Sequence, residues 1–133
     1  MGTTAQSHSI RIQGRRIGTQ TVLVVDDEVE VRMLMGDALE RAGYAVLEAS
    51  DGNEALERVK RHDEPIEVII TDLELPDADG CELAARLLLV RPEAKIMFMS
   101  GSATLDATMN AAFMQKPFDL RDLIVRVGAL ISA

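Results

Sequence analysis

The run "TVLVVDDE", residues 21–28, joins five β-branched and aliphatic residues to three consecutive acids. A half-exposed strand would alternate apolar with polar residues. This one does not, so it reads as a short strand covered on both faces. Asp26, Asp27 and Glu28 then stand where the strand ends. A strand covered on both sides needs helices above and below it, and the rest of the chain supplies them.

Directly after the acids, "EVEVRMLMGDALERAGY" carries Val31, Leu34, Met35, Ala38, Leu39 and Ala42 at helical spacing, with Gly43 suited to a C-cap. "YAVLEAS" reads as a second strand and "GNEALERVKRH" as a shorter helix with Ala55, Leu56 and Val59 inward. "EVIITD" is the third strand, and "GCELAARLLLVRP" is a helix stopped by Pro92. "AKIMFMS" and "AFMQK" are the fourth and fifth strands. "DLRDLIVRVGALI" is the last helix, with Asp119 as N-cap and Leu120, Leu123, Ile124, Val127 and Ile131 as its stripe. Strands alternating with helices imply a parallel sheet with helices on both faces, whose ligands lie outside the carboxyl ends of the strands.

Composition is consistent with this. The chain has 133 residues, one domain's worth, of which 47% are hydrophobic and only 3% aromatic. Val, Ile, Leu, Met and Ala must therefore fill the core. The net charge is −8, but residues 1–20 hold Arg11, Arg15 and Arg16 and no acid, so the remaining 113 residues carry −11. An acidic body repels phosphodiesters, which argues against direct nucleic-acid binding. Cys81 is the single cysteine, which excludes an internal disulfide and suits a reducing, cytoplasmic setting. No 18-residue apolar run and no signal-peptide core are present, so no membrane insertion is expected. Residues 1–20 read as a flexible tail or linker, with a short extra strand or helix as the alternative, and 21–133 as the domain.

At the strand ends stand Asp26 and Asp27 (first strand), Asp72 (third), Ser100 (fourth) and Lys116–Pro117 (fifth). Each alone is weak: acids favour helix N-termini, a serine is commonly a cap, and a lysine is commonly solvated. Four strand ends of one sheet coinciding is a much stronger signal. The stretches "VLVVDDE", "IITDLELPDADG", "MFMSG" and "FMQKPF", in this order, make the chain resemble the receiver domain of two-component response regulators, from about Thr21 to Ala133.

That resemblance implies a flavodoxin-like, doubly wound five-stranded parallel sheet in the order 2-1-3-4-5. It implies a phosphorelay receiver that takes a phosphoryl group from a phosphohistidine onto Asp72 with Mg²⁺. Asp27, Asp72 and the backbone carbonyl of Glu74 would hold the metal, and Asp26 would help through water. Lys116 and Ser100 would meet the phosphoryl oxygens, Ser100 and Phe113 would act as the switch, and the Lys116–Pro117 bond would be cis. Such a domain is not an ordinary enzyme, although it can catalyse its own phosphorylation and dephosphorylation. Glu74 and Ser102 stand where family members vary. The partner would be a histidine kinase or histidine phosphotransfer protein, docked on Val29, Val31, Met33, Leu34, Pro117 and Phe118, and the pattern leaves room for a weak homodimer. The chain ends two residues after its last helix stripe, which fits a stand-alone receiver or one excised from a hybrid histidine kinase.

The rivals fit less well. "DADG" invites a calcium loop, but with Gly80 at loop position six, position one is Leu75 and position twelve Arg86. A haloacid-dehalogenase-type phosphatase expects a second Asp where Glu74 stands. A receiver-like docking module that is never phosphorylated should have lost members of the set. One departure stands out: only 12 residues separate Ser100 from Phe113, so a shortened or irregular fourth helix is expected within 102–112.

Overall fold

The computed structural model describes residues 10–12, 15–17, 19–101 and 112–133. In the segment read as a tail, β1 (Ile10–Ile12) and β2 (Arg15–Ile17) pair antiparallel, with Arg11 opposite Arg16. The short extra strand held as the alternative is thus present there, as a hairpin. The elements that follow are β3 (Thr21–Val25), α1 (Val29–Arg41), β4 (Ala45–Ala49), α2 (Gly52–Arg61) and β5 (Val68–Asp72). The chain continues through α3 (Gly80–Val90), β6 (Lys95–Ser100), β7 (Ala112–Gln115) and α4 (Leu120–Ser132). The expected helix between the fourth and fifth core strands lies outside the described residues.

Strands β3 to β7 form one parallel sheet in the order β4-β3-β5-β6-β7, which is 2-1-3-4-5 counted among themselves. Side chains of successive strand residues point to opposite faces, and the sheet uses both. Val22, Val24, Val68, Ile70, Met97 and Met99 pack under α1 and α4, against Met35, Leu39, Leu123 and Val127. Leu23, Val25 and Ile69 pack on the other face against Ala55, Leu56 and Val59 of α2 and Leu83 and Leu87 of α3. This explains the apolar runs of β3 and β5, which are buried throughout, whereas the edge strands β4 and β7 are only partly covered and carry Glu48 and Gln115.

The stripes of α2 and α4 fall as the spacing predicts, but α1 differs. Met35 and Leu39 are buried, whereas Leu34 is 58% exposed and Ala42 is also exposed. The apolar arc of α1 is wider than the arc that faces the sheet, so part of it is left in solvent.

Local chemistry sets the helix ends. Gly43 closes α1 at a φ of 103°, a left-handed conformation that glycine adopts without a Cβ penalty. Asp51, Asp79 and Asp119 each accept a backbone N–H of the first helical turn. Gly80 is required for a different reason. A Cβ there would lie 2.5 Å from Leu73 Cα and 2.6 Å from the Asp72 carbonyl oxygen, so α3 starts against the backbone that leaves β5.

Candidate functional site

Two aspartates leave the sheet in the same way. Asp26 Oδ1 accepts the Glu28 backbone N–H at 2.9 Å, and Asp72 Oδ1 accepts that of Glu74 at 2.9 Å. An Asp carboxylate bonded to the N–H two residues on bends the chain out of its strand. It also leaves the second oxygen of each carboxylate, Oδ2, facing the strand ends. Arg32 steadies the first bend by donating Nη1 to the Asp26 carbonyl at 2.8 Å and Nε to Glu48 Oε1 at 3.0 Å.

Lys116 arrives from the far side of the sheet. Its backbone N–H donates to the Ser100 carbonyl at 2.8 Å, prolonging the β6–β7 ladder, and its bond to Pro117 is cis. Its Nζ lies 2.8 Å from Asp26 Oδ2, 2.8 Å from Asp72 Oδ2 and 2.9 Å from Glu28 Oε1. Asp26 is fully buried and Asp72 nearly so. The Lys116–Asp26 approach is a charge contact without hydrogen-bond angles, so Asp26 Oδ2 keeps its acceptor capacity although it has no access to water.

The electrostatics follow from burial. Loss of water raises the pKa of Asp26, opposed by Lys116 and by the Glu28 N–H. Burial alone would lower the pKa of Lys116, but Asp26, Asp72 and Glu28 around the ammonium overcome it and raise it, so the lysine is a fixed cation.

Asp27 is exposed at the same edge. Asp26, Asp27 and Asp72 each offer an oxygen within 4.8 Å of the other two. Three hard, anionic donors and a buried oxygen with spare acceptor capacity fit Mg²⁺, which prefers carboxylate oxygen and keeps part of its water. Ser100, buried at the end of β6, directs its hydroxyl to Glu74 Oε1 at a long 3.4 Å.

Asp26, Asp27, Asp72, Glu74, Ser100 and Lys116 thus gather at one edge of the sheet. Phe113 lies one strand over on β7, half-buried opposite Phe98, and its carbonyl accepts from Arg126 at 3.0 Å. On α1, Val29, Met33 and Leu34 are exposed, while Val31 packs partly against the core. Pro117 is exposed and Phe118 half-buried. Three residues of the region escape sequence reasoning. Glu28 was visible only as one more acid at a helix start. Arg32 carries no positional signal. Asp77, inside the "DADG" stretch, accepts the N–H groups of Gly52 at 2.8 Å and Asn53 at 3.0 Å, tying the loop after β5 to the start of α2.

The family model of the response regulator receiver domain matches residues 22–128. The chain belongs to that family. The receiver is 36% identical over 118 residues to the response regulator receiver protein CpdR of Brucella abortus, covering 84% of this chain and 97% of that protein. It is 36% identical over 120 residues to the sensor kinase CckA of the same organism, covering 86% of this chain but only 13% of that much longer protein. Among solved structures, the receiver domain from the hybrid histidine kinase CckA superposes with a TM-score of 0.75 at 33% identity, covering 84% of this chain and 98% of that one. A CheY-like receiver from Methanospirillum hungatei superposes with a TM-score of 0.78 at 27% identity, covering 86% and 95%. Among the described residues of the receiver, no helix is long and apolar enough to cross a membrane.

Proposed function

We propose that this receiver accepts a phosphoryl group from a phosphohistidine onto Asp72, with Mg²⁺ as cofactor. The observation that carries the reading is Lys116 Nζ lying 2.8 Å from both Asp72 and Asp26, with Asp27 at the same edge. The P–N bond of the donor breaks as an Asp72 carboxylate oxygen bonds to phosphorus. The bonding pair leaves with the imidazole, which takes up a proton. Lys116 and the Ser100 hydroxyl face the oxygens of the group in transit, where charge neutralisation and positioning supply most of the catalysis. Mg²⁺ would be held by Asp27, Asp72 and the Glu74 backbone carbonyl, with Asp26 beside them, and would supply further neutralisation of phosphoryl charge. Ser100 on β6 and Phe113 on the adjacent β7 then carry the switch.

The donor is a histidine kinase or histidine phosphotransfer protein in the cytoplasm. The exposed apolar side chains of Val29, Met33 and Leu34, with Pro117 and Phe118, form the surface that docks it. The likeness both to a short receiver protein and to part of a sensor kinase fits a receiver that works alone or within a hybrid kinase.

The test is phosphoryl labelling and beryllofluoride binding with and without Mg²⁺, on the protein and on Asp72→Asn. Labelling should need Mg²⁺ and vanish in the variant. Full labelling of Asp72→Asn at the same site refutes the assignment. A protein that binds neither Mg²⁺ nor beryllofluoride is instead a docking module without a phosphorylation step.

A further inference from the structure

We propose that Glu28 is a specificity-determining residue of this site, one that disfavours small anionic phosphodonors by holding Lys116 in the resting state. The inference deepens the reading of Asp72 as phosphoacceptor and rests on it. Lys116 donates hydrogen bonds to Asp72 Oδ2 and Glu28 Oε1 and has Asp26 Oδ2 in charge contact, so three carboxylate oxygens already crowd its ammonium within 2.9 Å. A phosphoryl oxygen arriving at Lys116 adds a fourth anion to that crowd, and the like-charge repulsion is relieved when one carboxylate gives way.

Burial decides which one. Asp26 is closed off from water, and Asp72 is both nearly buried and the acceptor itself. The Glu28 side chain is 60% exposed and can swing into solvent at small cost. Nor does α1 need it in place: Glu28 is the N-cap of that helix, yet its side chain makes no capping bond, reaching across to Lys116 instead. The other protein donor to the phosphoryl group is in a similar position, since the Ser100 hydroxyl faces Glu74 Oε1. Both donors therefore face a glutamate where phosphoryl oxygens would arrive. A free dianionic donor meets that negative charge and must displace Glu28 without help from any docking surface.

The probes are acetyl phosphate, a dianion at neutral pH, and phosphoramidate, which carries one negative charge fewer. In either case the bond from phosphorus to the leaving group breaks, its electron pair leaves with acetate or ammonia, and the new bond is to an Asp72 oxygen. The ammonia departs with the proton already on the phosphoramidate nitrogen. With saturating Mg²⁺, Glu28→Gln should be labelled by acetyl phosphate about three- to fivefold faster than the unaltered protein, the range expected for one half-exposed charge pair. The gain should be smaller with phosphoramidate and should shrink in high salt. Beryllofluoride, which binds without group transfer, should bind more tightly to Glu28→Gln by a similar factor. Glu28→Ala, checked for its fold by circular dichroism, should behave alike. Rates and affinities in both variants equal to or below those of the unaltered protein overturn the role of Glu28 while leaving Asp72 as acceptor. Labelling that survives Asp72→Asn, or an unaltered protein that neither donor labels, overturns both.

Discussion

Replacing Lys116 by methionine removes the ammonium that lies among Asp26, Asp72 and Glu28 while keeping most of the length of the side chain. Lys116 Nζ lies within 2.9 Å of all three, and its side chain is only 14% exposed. Removing one partner of a buried ion pair strands the other charge, at a cost of about 3–5 kcal/mol. The site opens to water on the Glu28 and Asp27 side, so the lower end applies, about 3 kcal/mol. With a urea slope of about 2 kcal/mol per molar for a domain of this size, the midpoint should fall by about 1.5 M. The assay is urea unfolding in EDTA, repeated with millimolar Mg²⁺. A cation bound among the aspartates replaces the missing charge, so Mg²⁺ should recover more stability in Lys116→Met than in the unaltered protein. A variant that unfolds in EDTA at the same urea concentration as the parent would refute the reasoning. So would equal stabilisation of both proteins by Mg²⁺.

Gly80→Ala forces a Cβ to within 2.6 Å of backbone at Leu73 and Asp72, so it should destabilise by at least about 2 kcal/mol and weaken Mg²⁺ binding, as calorimetry can measure. Gly43→Ala meets no atom within 4 Å and should cost only about 1 kcal/mol, from its positive φ, leaving Mg²⁺ binding alone. The N–H groups of Gly52 and Asn53 lower the pKa of Asp77 from its usual value of 3.8. Its folded value lies below its unfolded one, so its stabilisation is full above about pH 4 and fades as pH falls through the folded value. Asp77→Asn should therefore lose stability at neutral pH and show a shallower acid decline in thermal melts, and parallel melting curves at every pH would contradict this.

Most of the site was legible because a parallel sheet brings all its carboxyl ends to one edge. Once the strands ending at Val25, Asp72, Ser100 and Gln115 are recognised, the residues at or just beyond those ends must be neighbours. The bond between Glu28 and Lys116 was not legible, because it spans 88 positions and depends on which way one exposed side chain turns. Leu34 shows a limit of periodicity: spacing marks an apolar arc on α1 but not which part of that arc the sheet covers. The β1–β2 hairpin was legible only as an alternative to a tail, since strands of three residues are too short to display a period.

The division of the core by the sheet has a consequence for how this domain can change over generations. Val24 and Ile70 answer to α1 and α4, while Val25 and Ile69 answer to α2 and α3. Among the described residues the two clusters have no member in common, and the effects of substitutions in them should add with little coupling. One half of the interior can then drift in sequence without demanding compensation from the other. Only at the rim formed by Asp26, Asp72 and Lys116 must both halves agree, so the reacting edge is where the two histories of substitution are tied together.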